Sequence, residues 1–81
     1  MSISIVIPAH NEAGTIGGII AEARQIVPDA EIIVVDDAST DGTATVAREA
    51  GARVISHPYN IGNGAAVKTG IRAATGDTIV L

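Results

Sequence analysis

Four strands alternating with three helices, in a parallel, doubly wound α/β sheet of order 3-2-1-4, is the fold this sequence predicts. Short runs rich in β-branched apolar residues recur at 3–7, 31–36, 52–56 and 78–81. Between them lie apolar stripes with helical period. Clusters of carboxylates and turn residues follow the first two runs: Pro8-Ala9-His10-Asn11-Glu12, and Asp36-Asp37-Ala38-Ser39-Thr40-Asp41-Gly42. An open parallel sheet builds its ligand crevice beyond the carboxyl ends of its strands, where side chains escape the packed core.

The first run, Ile3 to Ile7, is almost wholly apolar and closed by Pro8, as expected of a strand buried on both faces. Ile16, Ile19, Ile20, Ala23 and Ile26 or Val27 then form one helical stripe, ended by Pro28-Asp29. Glycines 14, 17 and 18 weaken its start by about 1 kcal/mol each relative to alanine, so they are expected to permit close backbone approach. Glu31 to Asp36 is the second strand, apolar from Ile32 to Val35 and acidic at its end. From an N-cap at Thr40 or Asp41, a second helix runs through Val46, Ala47 and Ala50 and stops at Gly51.

Ala52 to Ser56 is the third strand, and His57 to Gly64 a long turn. A third helix covers about Ala65 to Thr75, with Ala66, Val67, Gly70, Ile71 and Ala74 on its apolar face and Lys68 and Arg72 opposite. The fourth strand is Thr78 to Leu81. Order 3-2-1-4 puts the switch point between strands 1 and 4, so the Pro8 to Glu12 turn and the end of strand 4 are expected to share one crevice. The chain then reads as one unit, residues 1–81, the first part of a larger domain.

Composition narrows the function classes. Hydrophobic residues make up 47% of the chain with one Tyr and no Phe or Trp, so Ile, Val, Leu and Ala must build the core. There is no cysteine, hence neither a disulfide framework nor a thiolate metal site, which is compatible with the reducing, cytoplasmic location expected of the chain without establishing it. The net charge of −4, with five scattered basic residues, argues against a nucleic-acid surface. No apolar run approaches the ~20 residues of a membrane span, and no transmembrane segment is expected.

Asp36 and Asp37 are the leading binding candidates, because carboxylates at this strand end accept hydrogen bonds from a ribose or a base N–H. The competing reading, favourable placement at the next helix N-terminus, is already served by Asp41. Glu12 can reach over the sheet edge toward a ribose diol, while Pro8 and Asn11 shape the turn. Asn60-Ile61-Gly62-Asn63-Gly64 either cradles phosphate at a helix N-terminus or simply allows a tight turn. It matches neither a Walker A loop nor a dinucleotide fingerprint. His10 and His57 are too few for a metal triad, His10 is expected to be an exposed turn residue, and no hydroxyl has the neighbours of a nucleophile.

Val6-Ile7-Pro8-Ala9-His10-Asn11-Glu12, Ile33-Val34-Val35-Asp36-Asp37-Ala38-Ser39-Thr40-Asp41-Gly42-Thr43 and Asn60-Ile61-Gly62-Asn63-Gly64-Ala65-Ala66, in this order and spacing, resemble the N-terminal nucleotide-sugar half of family 2 glycosyltransferases. The likeness is closest to the polyprenyl-phosphate, dolichyl-phosphate mannose synthase-like branch. It implies a three-layer, Rossmann-like GT-A half-domain that binds a UDP- or GDP-sugar for transfer to an acceptor such as a polyprenyl phosphate. By position it implies that Pro8 and Ala9 line the base pocket, Glu12 holds ribose hydroxyls, Asp37 reads the base with Asp36 in support, and Gly62 and Gly64 lie near the nucleotide.

The sequence departs from that pattern at Asn63, where the family often has a basic residue. The family's Asp-x-Asp metal motif follows the fourth strand, beyond Leu81. The resemblance therefore implies Mg²⁺ or Mn²⁺ for the full-length parent, no metal on this chain alone, no catalytic residue within it, and little activity by itself. An uncovered edge on strand 4 is expected to promote self-association. The alternatives are an inactive assembly module and a sugar-phosphate nucleotidyltransferase-like domain. The latter is disfavoured by Pro8 to Glu12, where a glycine-rich basic loop would be needed.

Overall fold

A computed structural model describes residues 2–81. The elements alternate as β1 (Ile3–Ala9), α1 (Ile16–Ile26), β2 (Glu31–Asp36), α2 (Thr43–Glu49), β3 (Arg53–Ser56), α3 (Asn63–Ala73) and β4 (Thr78–Val80). The strands form one parallel sheet of order β3-β2-β1-β4, the predicted arrangement. β1 runs through Pro8 to Ala9 rather than stopping before the proline. Ala9 O accepts from Asp37 N at 2.8 Å on the β2 side, so by alternation Pro8 faces the β4 side. There β4 reaches only as far as Ile5, and the missing proline N–H costs no ladder bond.

The β-branched runs do what their composition demands. Ile33, Val34 and Val35 of the inner strand β2 are fully buried, alternating between two cores. On one face Ile32 and Val34 pack with Ile16 and Ile20 of α1 and Ala47 of α2. On the other, Val6, Ile33 and Val35 pack with Ala66 of α3. Gly70 brings α3 down onto β1: a Cβ there would stand 2.1 Å from Val6 Cγ1.

Several boundaries and faces differ from the sequence expectation. α2 begins at Thr43, because Asp41 acts through its side chain, taking the Thr43 N–H at 3.0 Å, instead of serving as the capping residue itself. α3 begins at Asn63 and ends at Ala73, two residues early at each end. Gly14 and Gly18 face open space; among the α1-region glycines only Gly17 meets a neighbour, Val46 Cγ1 at 3.4 Å from its ideal Cβ. Ile26 turns outward, 79% exposed, and Ile71 of α3 is 40% exposed. None of the helices is long and apolar enough to cross a membrane among the described residues.

At the amino ends of the strands Ser4 and Glu31 hold the α3–β4 turn. Glu31 Oε1 accepts from Ser4 Oγ at 2.9 Å and from Thr75 N at 3.0 Å, and Gly76 N donates to Ser4 Oγ at 2.8 Å. This anchors β4 against β1 and leaves the opposite, carboxyl end of the sheet to form the site.

Candidate functional site

Three loops meet at the carboxyl ends of β1, β2 and β3. The first two are laced together by side chains that bond backbone groups of the opposite loop. Asn11 N donates to Ser39 Oγ and Thr40 N to Asn11 Oδ1, both at 2.8 Å. Glu12 N donates to Thr43 Oγ1 at 2.8 Å, and Ala13 N to Asp41 Oδ2 at 3.2 Å. Asn11 occupies the left-handed region at φ 52, a conformation its short amide tolerates, and Ala38 does so at φ 58. The Ser39-Thr40-Asp41-Gly42-Thr43 stretch is thus largely a brace. Asn11 shapes the turn as expected of it.

Asp37 ties in the third loop. Its Oδ1 accepts from His57 Nδ1 at 2.8 Å and Ile61 N at 3.0 Å, and its Oδ2 from Gly62 N at 2.8 Å. Gly62 sits at φ 115, a backbone state that side chains rarely adopt, which lets its N–H turn toward the carboxylate. These donors, Ile61 N–H first and the His57 bond next, hold the Asp37 carboxyl down at about 2, against the opposing pull of burial. His10 Nδ1 donates to the Asp37 carbonyl at 2.7 Å. Both histidines of the chain therefore grip the same residue, one at its carbonyl and one at its carboxylate.

A cleft of about 220 Å³ opens between these loops and the start of α3. Pro8, Ala9, Glu12, Asp37 and Gly62 line it, together with His10, Asn60, Asn63 and Ala66. Glu12 and Asp37, which come from different loops, thus share one cavity over the carboxyl ends of β1 and β2, on the α3 face of the sheet; β4 contributes none of its lining residues, so the cleft does not sit between β1 and β4 as the strand order led one to expect. Glu12 keeps its carboxylate at the surface, its side chain engaged, among the described residues, only by Thr15 Oγ1 at 3.1 Å.

Asp36 and Gly64 stand apart from this lining. Asp36 is 5% exposed and turns its Oδ1 to Ser39 N at 3.3 Å and to the Ser39 hydroxyl. Gly64 lies in the first turn of α3, with open space where a Cβ would stand. Of the loop's N–H groups, those of Ile61 and Gly62 are committed to Asp37, while the N-terminus of α3 carries no side-chain cap.

Sequence reasoning set the histidines aside. The signal available was their position: each follows the carboxyl end of a strand that flanks β2, so both were bound to arrive beside Asp37.

The residues present do not fit a divalent ion. Among those described, no three His, Asp or Glu side chains gather as such an ion requires. The two aspartates at the strand end give their oxygens to N–H and O–H donors instead.

A doubly wound parallel sheet with a carboxylate-bearing cleft beyond the carboxyl ends of its strands is the architecture of nucleotide-binding α/β domains. Residues 4–81 match the model for glycosyl transferase family 2, and the chain belongs to that family. It is 39% identical over 88 residues to the glucosyl-3-phosphoglycerate synthase of Mycolicibacterium paratuberculosis, a match covering 98% of this chain and 27% of the relative. It is 34% identical over 89 residues to the undecaprenyl-phosphate 4-deoxy-4-formamido-L-arabinose transferase of Pseudomonas fluorescens, covering 96% and 26%. The solved glucosyl-3-phosphoglycerate synthase of Mycobacterium tuberculosis, in complex with Mn²⁺, UDP-glucose and phosphoglyceric acid, superposes with a TM-score of 0.82 at 36% identity. That superposition covers 96% of this chain and 31% of the other, so the chain spans less than a third of the length of these relatives.

Proposed function

We propose that this chain forms the nucleotide-binding part of a glycosyltransferase that transfers a sugar from a UDP- or GDP-sugar. The observation that carries this reading is the convergence of Glu12 and Asp37 on one cleft with Pro8 and Ala9. Charge sets the direction of binding. Two carboxylates repel a diphosphate and attract hydroxyl and N–H donors, so the nucleoside is oriented toward Glu12 and Asp37 and the phosphates away from them.

In this reading Asp37 accepts from a base N–H with the acceptor capacity left on Oδ2, and Glu12 accepts from the ribose hydroxyls. Pro8 and Ala9 cover the base without competing polar groups. Asp36 acts indirectly, by fixing Ser39 and the loop brace, and Gly62 and Gly64 keep the approach to α3 clear of side chains. The UDP-glucose held by the solved mycobacterial relative supports a uridine nucleotide as the first ligand to try.

A divalent ion, as in that relative, would have to be held by residues other than those of this cleft. The acceptor is proposed to carry a phosphate group, since the relatives are named for a phosphoglycerate and for a polyprenyl phosphate.

Titration of the chain with UDP and with GDP, followed by amide shifts, tests the reading. A saturable response at Glu12, Asp37 and Gly62 is expected with one of them. The absence of any saturable response to either nucleotide would remove the proposal and favour an assembly module.

A further inference from the structure

His57 is the one histidine side chain in the molecule that is largely buried, 9% exposed beside an Asp37 side chain at 7%. Its ring bridges Asp37 Oδ1 and Thr69 Oγ1, both at 2.8 Å. Counting protons restricts what it does. The Asp37 carboxylate has none to give, so Nδ1 is a donor.

The single hydroxyl proton of Thr69 has two acceptors within reach, His57 Nε2 and the Ala65 carbonyl at 3.0 Å. If it goes to Nε2, the ring is neutral with its proton on Nδ1. If it goes to Ala65, Nε2 carries a proton as well and the ring is an imidazolium. In both states Nδ1–H points at Asp37. No buried side-chain nitrogen or oxygen among the described residues is left without a partner.

The groups around the ring leave Asp37 as its one charged partner. The β2–α2 loop supplies Asp37 and α3 supplies the uncharged Thr69, whereas Lys68 and Arg72 of α3 are exposed. His10 reaches the Asp37 carbonyl, not the carboxylate.

We propose that His57 is a positioning residue of the nucleotide cleft: its Nδ1–H fixes the Asp37 carboxylate, and through it the Ile61-Gly62 loop, so that Oδ2 is presented to the ligand. The proposal rests on the reading that the cleft takes a nucleotide. It differs from a role in merely filling space between β3 and α3, because only one of the two ring nitrogens matters.

Asparagine and glutamine separate those nitrogens, since the asparagine amide nitrogen falls near Nδ1 and that of glutamine near Nε2. His57→Asn keeps the donor to Asp37, and His57→Gln keeps only the contact to Thr69. In the chain, UDP and GDP are titrated against each variant, and the Asp37 carboxyl carbon is followed by NMR as the pH is lowered. His57→Asn is expected to bind nucleotide within about threefold of the unaltered chain and His57→Gln about tenfold more weakly, the loss of one charge-assisted bond.

The Asp37 midpoint is expected to stay low in the first variant and rise in the second. Equal behaviour of the two folded variants in that titration overturns the proposal. If the unaltered chain takes no nucleotide, the functional reading fails on its own, while the Asp37 titrations still decide the role of His57. Should both variants unfold, Thr69→Val leaves the Nδ1 bond intact and is expected to leave the Asp37 midpoint unchanged. A rise there overturns the proposal as well.

Discussion

Gly70 of α3 lies so close to Val6 of β1 that a Cβ on the glycine would stand 2.1 Å from Val6 Cγ1. That approach seats α3 on the sheet and sets where its N-terminus meets the cleft. Gly70→Ala is expected to destabilise the fold by about 1 to 3 kcal/mol, because Val6 is itself 1% exposed and has nowhere to move. Gly18→Ala is the control within the same class of change. It lies in α1 with nothing within 4 Å of its ideal Cβ, and it is expected to stabilise by about 1 kcal/mol through helix propensity alone. Chemical denaturation of both variants checks the pair, and a Gly70→Ala chain as stable as the original would contradict the packing described.

Asn11 ties the β1–α1 and β2–α2 loops while held at φ 52. Asn11→Ala removes the acceptor for Thr40 N and keeps a side chain in the left-handed region. Asn11→Gly removes the same acceptor but relieves the backbone. Both are expected to destabilise, and the alanine variant to be the weaker by about 1 kcal/mol. Equal stabilities would mean that the backbone conformation at this position carries no cost.

The sheet order and the pairing of Glu12 with Asp37 were legible because they follow from coarse rules: β-branched runs make inner strands, right-handed crossovers limit the topology, and strand ends face the crevice. What escaped was the hydrogen bonding of the loops. His57 bonds Asp37 across 20 residues of sequence and His10 does so across 27, and no local pattern encodes such a contact. Likewise Asp36 and Asp37 are neighbours with the same side chain, yet one turns into the Ser39 brace and the other lines the cleft. Glycines 14, 17 and 18 were expected to permit close approach, but that function falls to Gly70 and Gly76 and, of the three, only mildly to Gly17. A glycine's neighbours are set by tertiary packing rather than by its own segment.

Asp37 gives the cleft an acid limit. Its carboxyl stands at about 2 in the folded chain against 3.8 in its ordinary state, chiefly through the Ile61 N–H and then the His57 bond. A lowered folded value means that the stability it contributes is fully present well above pH 3.8 and is lost as the pH falls through that range toward 2. Amide protection at Ile61 and Gly62 is expected to fall across that window. In Asp37→Asn the same amides are expected to be poorly protected already at neutral pH, with no further acid step. Hydrogen exchange at these two sites is the measurement, and it separates Asp37 from Asp41 and Glu31, which are also lowered but hold other parts of the chain. Undiminished protection at pH 2 would show that the loop does not depend on the carboxylate.

Glu12 separates binding from folding. Its backbone is fixed by Thr43 Oγ1, but its carboxylate is exposed and, among the described residues, bonded only to the Thr15 hydroxyl, so the fold makes little use of the charge. Glu12→Gln is expected to change stability by no more than about 0.5 kcal/mol, as is usual for surface positions. If the carboxylate accepts ribose hydroxyls, the same change is expected to weaken UDP or GDP binding about tenfold, since hydrogen bonds to a charged group contribute more than those to a neutral amide. Calorimetric titration of the variant against the unaltered chain reads this directly. Binding left unchanged would assign Glu12 to the surface of the β1–α1 loop and leave Asp37 as the acidic contact within the cleft.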